Sequence, residues 1–239
     1  MSLLEVDRLE AGYGLLQAVR GISLTLDEGE RVALVGANCA GKTTLLRSIA
    51  GAHPVAGGSL HFDGIDVTHV PAHRRVRQGI ALVPEGRRLF PDLTVEENLQ
   101  VAATGGRPGQ WNLRTVLDAF PILGPLRRQR ASTLSGGQQQ TAAIARALMT
   151  NPRLLLLDEV SLGLAPVAVE TVYDSLGQLT AAGTTMILVE QDLTRALAFT
   201  DRVLCLLEGQ VVLEGQAGSV TREQVTAAYF GLDQKAGPR

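Results

Sequence analysis

Arg31-Val32-Ala33-Leu34-Val35-Gly36-Ala37-Asn38-Cys39-Ala40-Gly41-Lys42-Thr43-Thr44 is the stretch whose reading decides the fold. Arg31 to Val35 has the length and apolar run of a buried strand. Gly36 to Thr43 fits G-x-x-x-x-G-K-[ST], and a helix is expected from Thr44 to Gly51. In such a loop, backbone N–H groups wrap around phosphate oxygens, and the helix N-terminus presents its partial positive charge to the anion. Lys42 reaches the β- and γ-phosphates, and the Thr43 hydroxyl ligates Mg²⁺. Gly36, Ala37, Asn38, Cys39, Ala40, Gly41, Lys42, Thr43 and Thr44 are therefore the nucleotide-binding candidates.

Outward from this loop, Leu3 to Arg8 and Val19 to Leu26 alternate like half-buried antiparallel strands, with Gly12-Tyr13-Gly14 between them. Ser59 to Phe62 is a hairpin strand, and Ile80 to Val83 is a buried one ended by Pro84. Thr94-Val95-Glu96-Glu97 is a capping box that starts a helix. Helical periodicity then runs to about Thr150, broken at Gly105 to Gly109. Strands return at 153–157, 185–189, 203–207 and 210–213, with helices at 168–182 and 193–199. Strands alternating with helices imply a parallel sheet covered on both faces. The stretch 89–150 reads as an inserted helical subdomain, and the tail 234–239 reads as disordered.

Two further segments carry chemistry. Leu154 to Leu157 is an apolar strand ending in Asp158 and Glu159. An acid at such an edge holds Mg²⁺, and its neighbour orients and deprotonates the attacking water. Leu134-Ser135-Gly136-Gly137-Gln138 is a serine-led, glycine-rich helix start, expected to open a helix from Gln138 to Met149 whose positive end faces an anion.

Phosphate loop, Leu-Ser-Gly-Gly-Gln and Asp-Glu strand, in that order, resemble the motif set of ABC-type ATPases over about Leu3 to Leu232. The resemblance implies a P-loop NTPase (RecA-like) core over 1–88 and 151–232, with a small antiparallel β subdomain and the helical insert. It implies a head-to-tail dimer in which Leu134, Ser135, Gly136, Gly137 and Gln138 cover ATP held by a homologous subunit. It also implies that Tyr13 stacks on adenine, that Glu85 senses Mg²⁺ and the water, and that Gln191 contacts the γ-phosphate. Glu159, Gln191 and Glu85 are thus the catalytic candidates, and Thr43, Asp158 and Glu85 the Mg²⁺ candidates.

Val83 to Pro91, Leu93 to Leu99, Ser161 to Pro166, Leu188 to Gln191 and Ala228 to Gly231 resemble the second, shorter ATPase subunit of branched-chain amino acid importers. Transmembrane permease subunits are the partners implied, docking where Leu89, Phe90, Pro91 and Leu93 form an apolar lip. The alternatives are the ATPase of a urea or amide importer, which tends to carry Gln where Glu85 stands, and a weakly hydrolysing nucleotide sensor. DNA-maintenance relatives carry a long coiled coil, and no heptad run exists here.

Cys39 stands where the family has glycine, and Val160 where it has proline; reduced rather than absent turnover is expected. Alkylation of Cys39 is expected to block ATP binding, with ATP protecting. Cys39 and Cys205 form no framework and read as free thiols. The formal net charge of −2 gives no global basic field for nucleic acid, and the clusters around Arg75, Arg87 and Arg128 read as solvated faces. No apolar run approaches the ~18 residues of a membrane span. The expected location is therefore cytoplasmic, peripheral on the inner face of the membrane.

Overall fold

A computed structural model of the chain describes residues 2–181 and 183–230. The expected disorder of 234–239 and the last residue of the expected helix 168–182 lie outside them. The chain divides into two compact units, Met1–Pro71 with Met186–Arg239, and Ala72–Thr185.

The first unit begins with β1 (Ser2–Tyr13) and β2 (Leu16–Asp27), an antiparallel hairpin longer than the alternating runs suggested. Register shifts between Val6 and Leu9 and between Ala11 and Gly12 interrupt the alternation, which is why the sequence shows only its regular parts. β3 (Arg31–Gly36) leads into α1 (Lys42–Ile49). β4 (Gly57–Phe62) and β5 (Ile65–Asp66) complete an antiparallel sheet of order β2-β1-β4-β5.

The second unit contains α2 (Ala72–Gln78), β6 (Ile80–Val83), α3 (Val95–Ala103), α4 (Leu113–Ala119), α5 (Gly136–Leu148), β7 (Leu154–Asp158) and α6 (Pro166–Ala181). Single 3-10 turns occupy Pro121–Leu123 and Ala131–Thr133. β6 and β7 pair in parallel from Ile80↔Leu154 to Val83↔Leu157. The capping box forms as expected: Thr94 Oγ1 accepts from the Glu97 N–H, and Glu97 accepts from the Thr94 N–H at 2.7 Å. α2 was not anticipated, because its surface is Arg- and His-rich. Arg75 on it is 1% exposed, so the solvated-face reading fails there: its long aliphatic stem and head are enclosed as α2 packs on β6.

β8 (Thr185–Val189), α7 (Leu193–Phe199), β9 (Arg202–Leu207), β10 (Gln210–Gln216) and α8 (Arg222–Tyr229) return the chain to the first unit. β3 lies between β8 and β9, parallel to both, and β10 is antiparallel to β9. α8 is a helix that periodicity did not bring out, although Thr221 and Gln224 build a complete capping box for it. Its Val225 and Ala228 pack in one apolar cluster with Val35, Ala196, Val203 and Cys205. Burial pushes the Cys205 thiol up to about 11, against an opposing pull from Lys42. Among the described residues no helix is long and apolar enough to cross a membrane.

Candidate active site

In the first unit, β3 delivers the chain into a loop whose shape only certain residues allow. Gly36 has φ 142, and a Cβ there would lie 2.2 Å from the Leu206 carbonyl oxygen of β9. Gly41 has φ 102, and its Cβ would lie 2.3 Å from the Ala18 carbonyl oxygen. Both glycines are therefore demanded by space as well as by backbone conformation. Between them, the Lys42 ammonium folds back and donates to the carbonyls of Gly36 at 2.7 Å and Ala37 at 2.9 Å. Lys42 is 4% exposed, so the loop is built around a buried cation. α1 begins at Lys42, two residues before the expected start, and has no acid in its first turn. Its positive end is thus left to whatever anion the loop receives.

Cys39 is exposed at φ 66, a left-handed conformation that glycine adopts without steric cost. A non-glycine residue pays about 1 kcal/mol there. Cys39→Gly is expected to raise stability by no more than about 0.5 kcal/mol, because the larger chain entropy of unfolded glycine offsets most of the relief. ATP affinity should stay equal or tighten; denaturant melts and nucleotide titration check both, and weaker affinity contradicts the reading.

Tyr13, at the tip of β1, is 49% exposed. Its ring meets the His53 ring at a centroid distance of 4.5 Å with a tilt of 46°. His53 carries no motif and was not anticipated. Gln191 is exposed, just before Asp192, which caps α7 by accepting from the N–H groups of Thr194 and Arg195. Gln191 and Gly36 line one open cavity of about 500 Å³ with α8 residues Arg222, Thr226 and Tyr229. The first unit thus contains Tyr13, residues 36–44 and Gln191, with Gly36 and Gln191 on one cavity.

The second unit holds the remaining candidates. Asp158 ends β7 and is 1% exposed. Glu159 follows at φ 49, a strained conformation for a side chain with no glycine. Val160 is 1% exposed, so packing anchors the segment that follows the Asp158-Glu159 pair. Ser135 is the N-cap of α5: its Oγ accepts from the Gln138 N–H, and the Gln138 Oε1 accepts from the Ser135 N–H at 2.9 Å. The helix therefore starts at Gly136, two residues before the expected Gln138, with both glycines in its first turn. A Cβ on Gly137 would lie 2.6 Å from that of Ala168, so Gly137 also lets α6 pack against α5. No acid occupies this first turn either.

Glu85 is exposed, and the segment after it is fastened to α5. Gly86, Arg87 and Arg88 all have positive φ. Arg87 donates to the Gln139 side chain at 3.0 Å, and Arg146 donates to the Arg87 and Arg88 carbonyls. Arg146 also lies over the Phe90 ring at 5.8 Å, and burial lowers its pKa. Asn98 holds both the N–H and the carbonyl of Phe90, leaving its ring 49% exposed. The Arg87 and Arg88 cluster is thus a staple as much as a solvated face.

The family model for ABC transporters matches residues 19–161. The chain is 43% identical over 232 residues to the high-affinity branched-chain amino acid transport ATP-binding protein BraG of Pseudomonas aeruginosa, covering 96% of this chain and 100% of that one. It is 35% identical over 225 residues to a probable branched-chain amino acid transport ATP-binding protein, LivF, of Archaeoglobus fulgidus, covering 93% and 95%. A solved dimeric ATP-binding cassette, in a post-hydrolysis state bound to ADP and Pi, superposes with a TM-score of 0.80 at 26% identity, covering 90% and 98%. With its phosphate loop and capped glycine-rich helix built as described, the chain belongs to the ATP-binding proteins of ABC transporters, and binding and hydrolysing ATP is its chemistry.

Proposed function

We propose that this ATPase powers a solute importer for branched-chain amino acids. The observation that carries the reading is full-length similarity to BraG, 100% of which is covered at 43% identity. The exposed carboxylate at Glu85 favours it over the urea or amide importer.

In this reading the loop 36–43 holds the triphosphate, with Lys42 on the β- and γ-phosphates. Mg²⁺ fits the donor set. Thr43, Asp158 and Glu85 offer hard oxygen donors, and no cluster of three His, Cys, Asp or Glu among the described residues could cage a metal by itself. Magnesium accepts such a site, since it keeps waters and takes phosphate oxygens, and when bound it neutralises charge on the transferring phosphoryl group. Glu159 takes the proton of the attacking water, and Gln191 donates to the γ-phosphate. Ser135, Gly137 and Gln138 cover the nucleotide of a homologous subunit; the Ser135 hydroxyl and the Gln138 amide nitrogen, which their mutual capping bonds leave as donors, face its phosphate oxygens. Permease subunits dock on the Glu85–Leu93 segment, and the staple to α5 passes their motion to the signature residues. The chain works in the cytoplasm, on the inner face of the membrane.

Co-purification from native membranes, followed by ATPase assays in reconstituted complexes, tests this. Leucine, isoleucine or valine with the matching binding protein should stimulate turnover. Stimulation by urea or short amides instead would replace the solute assignment and leave the ATPase reading standing.

A further inference from the structure

The exposed Tyr13 ring sits at a hairpin tip, and stacking a base needs a ring held at a fixed distance from the phosphate loop. His53 supplies the missing constraint. Its ring covers part of Tyr13 at 4.5 Å. Its Nε2 lies 3.0 Å from the Gly12 carbonyl oxygen, which can only accept, so Nε2 carries the proton and donates. The backbone of His53 is pinned in turn: its N–H and that of Ala52 both donate to the Arg47 carbonyl at the end of α1, at 3.1 and 2.8 Å. α1 is the helix that starts at Lys42. One continuous path therefore runs from the phosphate loop, along α1, through His53, to the backbone and ring at residues 12–13. Gly12 admits no side chain, since a Cβ there would lie 2.3 Å from the Leu16 carbonyl oxygen.

We propose that His53 is a positioning residue for nucleobase recognition: it backs the Tyr13 ring and sets its distance from the phosphate loop, so that base and triphosphate are bound together. The inference rests on the reading that Tyr13 stacks the base. It assigns His53 a share of the affinity for ATP but none of the affinity for the phosphates alone.

The test compares binding of ATP and of inorganic tripolyphosphate, both with Mg²⁺, to the parent protein, Tyr13→Ala, His53→Ala and His53→Phe. His53→Ala is expected to weaken ATP about 5–10-fold while changing tripolyphosphate by less than about twofold. His53→Phe keeps a ring against Tyr13 and should bind ATP more tightly than His53→Ala. Should His53→Ala fail to fold, His53→Gln takes its place; it keeps a donor for Gly12 but loses the ring, and ATP should weaken at least about threefold with tripolyphosphate unchanged. Unchanged ATP affinity in the His53 variants, with Tyr13→Ala weakened, overturns the role of His53 alone. Equal weakening of both ligands also overturns it, because the histidine would then merely hold the loop together. Unchanged ATP affinity in Tyr13→Ala overturns the stacking reading beneath it.

Discussion

Glu159→Gln is expected to lower steady-state ATP turnover by about a hundredfold or more while leaving MgATP binding intact. The amide keeps the size and hydrogen-bonding capacity of the carboxylate but cannot accept the proton of the attacking water. Glu159 stands at φ 49 directly after the buried strand Leu154–Asp158, with Val160 locked in the core behind it. Such strain persists only where the surroundings over-determine it, and it clusters at functional positions. With hydrolysis blocked, ATP should stay bound and the closed dimer should accumulate. Phosphate release and light scattering with MgATP read the two effects. Turnover within tenfold of the parent would remove Glu159 from the role of general base.

Lys42→Ala should cost ATP affinity about a hundredfold or more. Hydrogen bonds to a charged group contribute roughly 1.5–3 kcal/mol each, and 1.4 kcal/mol is a factor of ten. The ammonium now bridges the Gly36 and Ala37 carbonyls, so its removal also leaves two loop carbonyls without their donor. Lys42→Arg should not restore binding, because a planar five-donor fork does not fit a buried point-charge site that is 4% exposed. Nucleotide titration by calorimetry checks both variants. Affinity within about threefold of the parent in Lys42→Ala contradicts the assignment.

Much of this was legible in the chain because the deciding signals are local. The strand–loop–helix around Gly36 to Thr44, the apolar strand closed by Asp158 and the box at Thr94 each need only a dozen neighbouring residues to be read. What escaped depends on contacts distant in sequence. His53, in the turn after α1, meets Tyr13 and Gly12 of the hairpin from far along the chain. Arg87 reaches Gln139 across 52 positions, joining a segment and a helix that looked independent. Arg75 reads as a surface charge until α2 packs on β6. α8 is a different case: Thr221 and Gln224 form a local box, but the helix opens on exposed Arg222, Glu223 and Gln224 and buries only Val225 and Ala228, which leaves little apolar periodicity to announce it. The signature glycines show a third kind of gap. Their phosphate role follows from resemblance, whereas the close approach of Ala168 to Gly137 is visible only in three dimensions.

In the proposed cycle, residues 36–43 hold a triphosphate which Ser135 to Gln138 of a second subunit must cover. The structure of the Glu159→Gln protein at saturating MgATP tests it most directly. The expected result is a dimer with two nucleotides, each between the phosphate loop of one copy and the Ser135 helix of the other. An empty loop, or a filled monomer whose Ser135 helix faces solvent, would contradict it.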